Sequence, residues 1–165
     1  MQNPYTQDEI ISIEQKKDKN DRLEEYFSQK REAWSKQIDP LFNGIDIKFF
    51  NKNNVENIIQ TQALALSYRQ ILTEEISFFL NKRSKEEVEF KKLKQDKFLY
   101  YAIGFGLKTN MGEKMTLIEA HVAEWERNMN LLENHVEFLR QCNKNLESLG
   151  FTIKNITELL TYLSH

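Results

Sequence analysis

The sequence predicts an all-α protein built from long amphipathic helices, with a heptad seam and an oligomeric helical assembly, and three observations carry that reading. Turn formers are scarce: 5 Gly and 2 Pro in 165 residues leave too few turns for an all-β chain. Apolar residues recur at steps of three and four over long stretches, the period of a half-buried helix. In the last third they settle into a seam: Met115, Ile118, Val122, Trp125, Met129, Leu132, Val136, Leu139, Leu146. Such spacing is that of helices packed knob into hole. In a chain this short partner helices are expected in other copies, giving a homo-oligomer; the alternative is an intramolecular bundle.

The elements follow in order. Residues 5–37 read as a polar helix with sparse apolar positions: Ile10, Ile11, Ile13, Leu23, Tyr26, Phe27 and Trp34. Its middle has almost no apolar face, so it is either a mobile arm or a helix held by a partner. Ile38-Asp39-Pro40 ends it, because the residue before Pro is pushed out of the α region. Residues 41–54 form a connector with an Asn43-Gly44 turn. Ile45, Ile47, Phe49 and Phe50 there suit a short strand or a docked extended segment. Asn54 offers an N-cap to a helix through Val55, Ile59, Ala63, Leu66, Leu72, Ile76, Phe79 and Leu80. Ser84 and Glu87 have the spacing of a capping box, so a second helix restarts there or the first continues with a kink. Residues 102–112 hold three of the five glycines and form a loop. The heptad helix then runs from Glu113 to Leu149, Gly150 stops it, and a short helix carries Ile153, Ile156, Leu159, Leu160 and Leu163.

Charge and cysteine content narrow the function. With 23 basic and 25 acidic residues the net charge is −2, so the whole molecule does not attract polyanions at long range. The exception is residues 82–97, where seven basic against four acidic groups give a local net of +3. The single Cys142 admits no intrachain disulfide and fits a reducing compartment. No secretory pattern opens the chain, and its longest apolar run, Phe98 to Leu107, has half the length of a membrane span. A soluble cytoplasmic protein is expected.

Catalytic and metal chemistry find little footing. His121 and His135 lie four helical turns apart, and no convergent ligand set surrounds either, so no metal is expected. Gly104-Phe105-Gly106 lacks the third glycine and the preceding strand of a dinucleotide site. No nucleophile, base and oxyanion site assembles from the sequence; the chain reads as a non-enzyme without a cofactor. The stretch from Lys91 is different. Lys91, Lys92, Lys94 and Lys97 share one helix and run directly into Phe98, Tyr100 and Tyr101. Cations for phosphates beside rings that stack on bases are the ingredients of single-strand binding; a solvated lysine-rich face above core aromatics has the same composition.

The order of these features resembles the UvsY-like recombination mediators of tailed phages. Phe79-Leu80-Asn81-Lys82 leads into the basic helix and its Tyr100-Tyr101, and a glycine-containing loop follows. Further on come Phe138 and the ending Gly150-Phe151-Thr152-Ile153-Lys154-Asn155-Ile156. The resemblance covers roughly residues 45–160. It implies an all-α ring-forming homo-oligomer, acting in DNA recombination, repair and replication in the cytoplasm of a phage-infected bacterium. Its partners would be single-stranded DNA, a single-strand-binding protein that it displaces, and a RecA-like recombinase that it loads. By the same resemblance Lys91, Lys92, Lys94, Lys97, Tyr100 and Tyr101 meet nucleic acid. Phe138, Leu146, Phe151, Ile153, Ile156 and Leu160 form the oligomer interface. Residues 1–44 have no counterpart and read as a polar N-terminal arm and linker before a mediator-like domain at 45–165. A helical structural or adaptor protein, a phage particle component or an assembly scaffold, is the other reading.

Overall fold

The computed structural model describes residues 6–43, 55–104 and 110–163. Those residues form three long helices and no strand: α1 (Gln7–Asn43), α2 (Val55–Leu99) and α3 (Met111–Leu163). The α2 helix runs on into one π turn at Tyr100–Gly104. The all-α expectation holds. The readings for Ile45, Ile47, Phe49, Phe50, the Asn54 cap, most of the glycine loop and His165 lie outside the described residues.

Two helix starts are set by side-chain caps that the sequence reading passed over. Ahead of α1, the Thr6 backbone N–H donates to Glu9 Oε2 at 2.8 Å and the Glu9 N–H donates to Thr6 Oγ1 at 3.3 Å. Ahead of α3, the Glu113 N–H donates to Asn110 Oδ1 at 2.9 Å, and the Asn110 N–H donates back to Glu113 at 3.3 Å. Both are reciprocal capping boxes, which satisfy N–H groups that the first turn leaves without partners. No such box operates at Ser84: α2 continues through it without a break.

Two expected stops do not occur. Pro40 lies inside the last turn of α1, where its missing N–H forfeits only the bond to the Lys36 carbonyl, and Ile38 is already packed at 4% exposure. Gly150 does not terminate α3. Leu149 and Ile153 on either side are both 2% exposed, so burial continues at helical spacing across it, and no glycine among the described residues has positive φ. A Cβ added at Gly150 meets nothing within 4 Å. Gly150→Ala is therefore expected to raise stability by about 0.5–1 kcal/mol through lost chain entropy, read as an upward shift of the urea midpoint; a lower midpoint would contradict the open space at that position.

The chain divides into two compact units, Met1–Phe27 with Phe79–Asn134 and Ser28–Phe78 with His135–His165. Each of the three helices gives a segment to both. From α1, Asn20, Phe27, Trp34 and Ile38 are buried. Its apolar positions are few, but Ile13, Asn20, Phe27 and Trp34 fall seven apart and so share one face.

In the first unit, Phe27 meets Phe79 edge to face at 5.3 Å and 80°, with Tyr101, Ile118, Val122 and Leu132 also buried. The second unit buries Trp34, Leu72, Val136, Leu139, Leu146 and Ile153, and Trp34 stands edge-on to Tyr68 at 5.9 Å. The Trp34 indole N–H donates to Glu75 Oε2 at 3.0 Å, and Lys30 approaches the other oxygen at 3.4 Å. Burial along α3 includes a polar column one residue before the expected seam: His121, Asn128, His135 and Cys142, each seven after the last.

Candidate nucleic-acid interface

The lysines of α2 do not form one continuous basic face. Helical geometry turns each residue by about 100°, so consecutive lysines point in different directions, and the surroundings of each decide what it can do. Lys97 faces inward: its ammonium is bonded to Glu9 of α1, and its side chain is 14% exposed. It also lies over the Tyr100 ring at 5.9 Å. Lys94 rests over Phe90 at 5.6 Å. Lys91 projects into solvent but bridges back to Glu87 at 2.7 Å, one turn away. Lys92 is exposed and makes no ion pair with a described residue, as does Lys85.

The two tyrosines separate as well. Tyr101 is 1% exposed and belongs to the core, so it presents no face to a base; Tyr100 is 42% exposed. Their rings meet edge to face at 5.1 Å, which fixes the outer ring against a buried one. Phe98 and Leu99 join Tyr100 at the surface, 39% and 47% exposed. The accessible part of the expected surface is therefore Lys91, Lys92 and Tyr100. Lys85, which the sequence reading did not single out, joins them because it lies seven before Lys92 and so on the same face. Glu89 and Asp96 are exposed in the same stretch and moderate its positive field.

The expected oligomer-interface residues divide in the same way. Leu146 and Ile153 are 1% and 2% exposed and are consumed by the chain's own core. Phe138 and Ile156 are half-buried, and Phe151 and Leu160 are exposed at 61% and 38%. Leu159 and Tyr162, at 61% and 83%, add apolar surface at this end of α3.

The charge on Glu9 controls Lys97. Burial pushes the Glu9 carboxyl up, but hydrogen bonds from Lys97 and from Thr6 outweigh that and hold it below the usual range. A depressed carboxylate contributes stability above its unfolded pKa and loses it as pH falls through the folded value. The Glu9–Lys97 contact is thus present at neutral pH and weakened in acid. Burial, then the Lys97 charge, lowers the neighbouring His121 against the opposing pull of Glu9.

His135 carries the largest pH effect. Its ring lies parallel to Phe138, 16° apart at 6.4 Å. Burial first, then Arg31, lowers its pKa from 6.5 to about 4; Glu75 opposes this and Lys30 adds to it. The unfolded imidazole binds a proton that the folded one refuses, so stability is full above 6.5 and falls as pH drops towards 4. The expected loss over that window is on the order of 3 kcal/mol at one proton per molecule. Urea midpoints across pH should show it, and His135→Leu should flatten the profile. A profile of unchanged slope in that variant would remove His135 as the source.

Cys142 is buried; burial, with Asp39 adding, pushes its thiol up, the opposite of what activates a nucleophile. It lines a groove together with Ile38, Phe42 and Phe138. Among the described residues no group of three His, Cys, Asp or Glu side chains is placed to hold a metal ion, and no helix is long and apolar enough to cross a membrane. Comparison with protein families, with curated proteins and with solved structures finds no match for this chain.

Proposed function

We propose that the chain is a non-catalytic recombination mediator of the UvsY kind. In this reading it binds single-stranded DNA, displaces a single-strand-binding protein and loads a RecA-like recombinase as a homo-oligomer in the bacterial cytoplasm. The observation that carries it is the helix at residues 85–100. There Lys85, Lys91 and Lys92 are exposed and lead to exposed Phe98 and Tyr100, the pairing of phosphate-neutralising cations with stackable rings that single strands require. The motif order from Phe79-Leu80-Asn81-Lys82 to Gly150-Phe151 supports the same reading. Self-association falls to the exposed Phe151, Leu160 and Tyr162 rather than to Leu146 and Ile153.

The test is binding of a fluorescent oligothymidylate by anisotropy over a range of salt. Replacing Lys85, Lys91 and Lys92 together with alanine is expected to weaken binding about ten- to hundredfold. It should also reduce the salt slope by about 2, at roughly 0.7 per phosphate contact on a single strand. Unchanged affinity and slope would sink this surface.

A second reading, a structural or adaptor protein without a nucleic-acid role, is favoured by one observation. Leu64, Ile71 and Phe78 of α2 are 45%, 41% and 62% exposed and seven apart, an apolar stripe suited to a partner helix. Co-purification with capsid, tail or scaffold proteins in place of a recombinase would select it.

A further inference from the structure

The first five turns of α1 are attached in an unusual way. Between Gln7 and Tyr26 the buried side chains are Lys16 and Asn20, both polar; the first fully buried apolar residue is Phe27. Ile11 and Tyr26 are exposed at 46% and 44%. Ile10, Ile13 and Leu23 are only half-buried, and ion pairs and amide bonds supply the closely buried contacts. Glu9 holds Lys97 of α2. Lys16 meets Glu86 at 2.5 Å, with Lys19 at 4.0 Å from the same carboxylate. The Asn20 amide donates to the Glu124 backbone oxygen at 2.7 Å and to its carboxylate at 3.0 Å, and accepts from Asn128 at 2.7 Å. Arg127 of α3 takes Asp21 and Glu24, each at 2.7 Å.

A segment held this way differs physically from the rest of α1. Ion pairs yield to competing charges. The exposed ones, such as those of Arg127 with Asp21 and Glu24, are also screened by salt, the more buried pairs less so; apolar burial is insensitive to both. The Glu9 carboxylate also occupies the position that a phosphate oxygen would take on Lys97: an anionic oxygen accepting from the ammonium.

We propose that residues 7–26 are a releasable strap that masks Lys97, and that the phosphate backbone of a single-stranded nucleic acid displaces it by substituting for Glu9. Release adds Lys97 to Lys85, Lys91 and Lys92 on the same helix, so binding and strap opening are coupled. The masking clause rests on the nucleic-acid reading above; the opening itself does not. Opening is a property of the chain alone and follows from the polar attachment.

The experiment is hydrogen exchange by mass spectrometry on the full chain, comparing residues 7–26 with residues 28–43 between about 50 and about 500 mM NaCl, where the screening length falls severalfold. The strap is expected to exchange at least tenfold faster at high salt while residues 28–43 are unchanged, and oligothymidylate at low salt should reproduce the effect. Equal and salt-insensitive protection of both segments overturns the strap. In parallel, Glu9→Gln is expected to tighten oligothymidylate binding about three- to tenfold. Lys16→Met with Glu86→Leu, which replaces the polar attachment by an apolar one, should slow exchange of residues 7–26 and weaken binding. Altered exchange with unaltered affinity in both variants overturns the masking. If no form binds the oligonucleotide, the nucleic-acid reading and its masking clause fall together, and the opening stands or falls on its salt dependence alone.

Discussion

Replacing Phe27 with alanine is expected to destabilise the chain by about 3–5 kcal/mol, the range for truncating a fully buried aromatic. Phe27 is 0% exposed and meets Phe79, itself 4% exposed, edge to face. Truncation removes the transfer free energy of the ring, the ring–ring contact, and the packing of atoms that line the resulting void. Relief by collapse is restricted because Phe79 belongs to a long continuous helix. Phe27 is also the first fully buried apolar residue of α1, so its loss leaves the preceding twenty residues with polar attachment and the half-buried Ile10, Ile13 and Leu23. The urea midpoint should fall, and the slope should fall with it if residues 7–26 detach in the folded state of the variant. A loss below about 1 kcal/mol would mean that Phe27 is not the anchor of α1.

The second large effect is an asymmetry at the Lys16–Glu86 pair. The two side chains are 9% and 11% exposed and 2.5 Å apart, and the Lys16 ammonium also lies over the Trp125 ring at 5.7 Å. Glu86→Ala is expected to cost about 3 kcal/mol, because it leaves an ammonium largely withdrawn from water without its counter-charge. The double replacement Lys16→Met with Glu86→Leu removes both charges and retains volume, and is expected to be neutral or stabilising by about 1–2 kcal/mol. Were the double variant as damaged as the single one, the pair would be contributing net stability, and the site would be wet enough for its Coulombic attraction to exceed its desolvation.

Much of the fold is legible along the chain. The apolar steps of three and four in residues 55–99 and 113–149 are local properties, and the helices there follow them. Helix ends are less legible. Pro40 and Gly150 carry strong stop signals, yet the burial of Ile38, Leu149 and Ile153 at helical spacing outweighs them. The start signals were in plain view, as Thr6 with Glu9 and Asn110 with Glu113, three residues apart. The seam on α3 identified the buried side of the helix through Ile118, Val122, Leu132, Val136 and Leu139. Beside that seam lie His121, Asn128 and His135, buried polar side chains that an apolar pattern by itself does not register.

The candidate surface was harder to read than the fold. Four lysines and two tyrosines are adjacent in sequence, but adjacency on a helix does not mean a shared direction. Lys97 and Tyr101 turn inward while Lys92 and Tyr100 turn outward, and composition alone does not distinguish them. Lys85 is found by asking which residue lies two turns before Lys92.

What the sequence determined by itself is the helical class, the helical stretches within residues 5–37, 55–101 and 113–149, the local basic excess, and the order of motifs on which the functional reading rests. Each of these is written in spacings of a few residues, the range over which backbone hydrogen bonds and amphipathic period act. What only the tertiary structure decided is which charges are free. Lys16 finds Glu86 across 70 positions, Glu9 finds Lys97 across 88, and Asn20 finds Asn128 across 108. A lysine's availability to a phosphate depends on whether a carboxylate from a distant segment already holds it, and that is settled by how the helices pack.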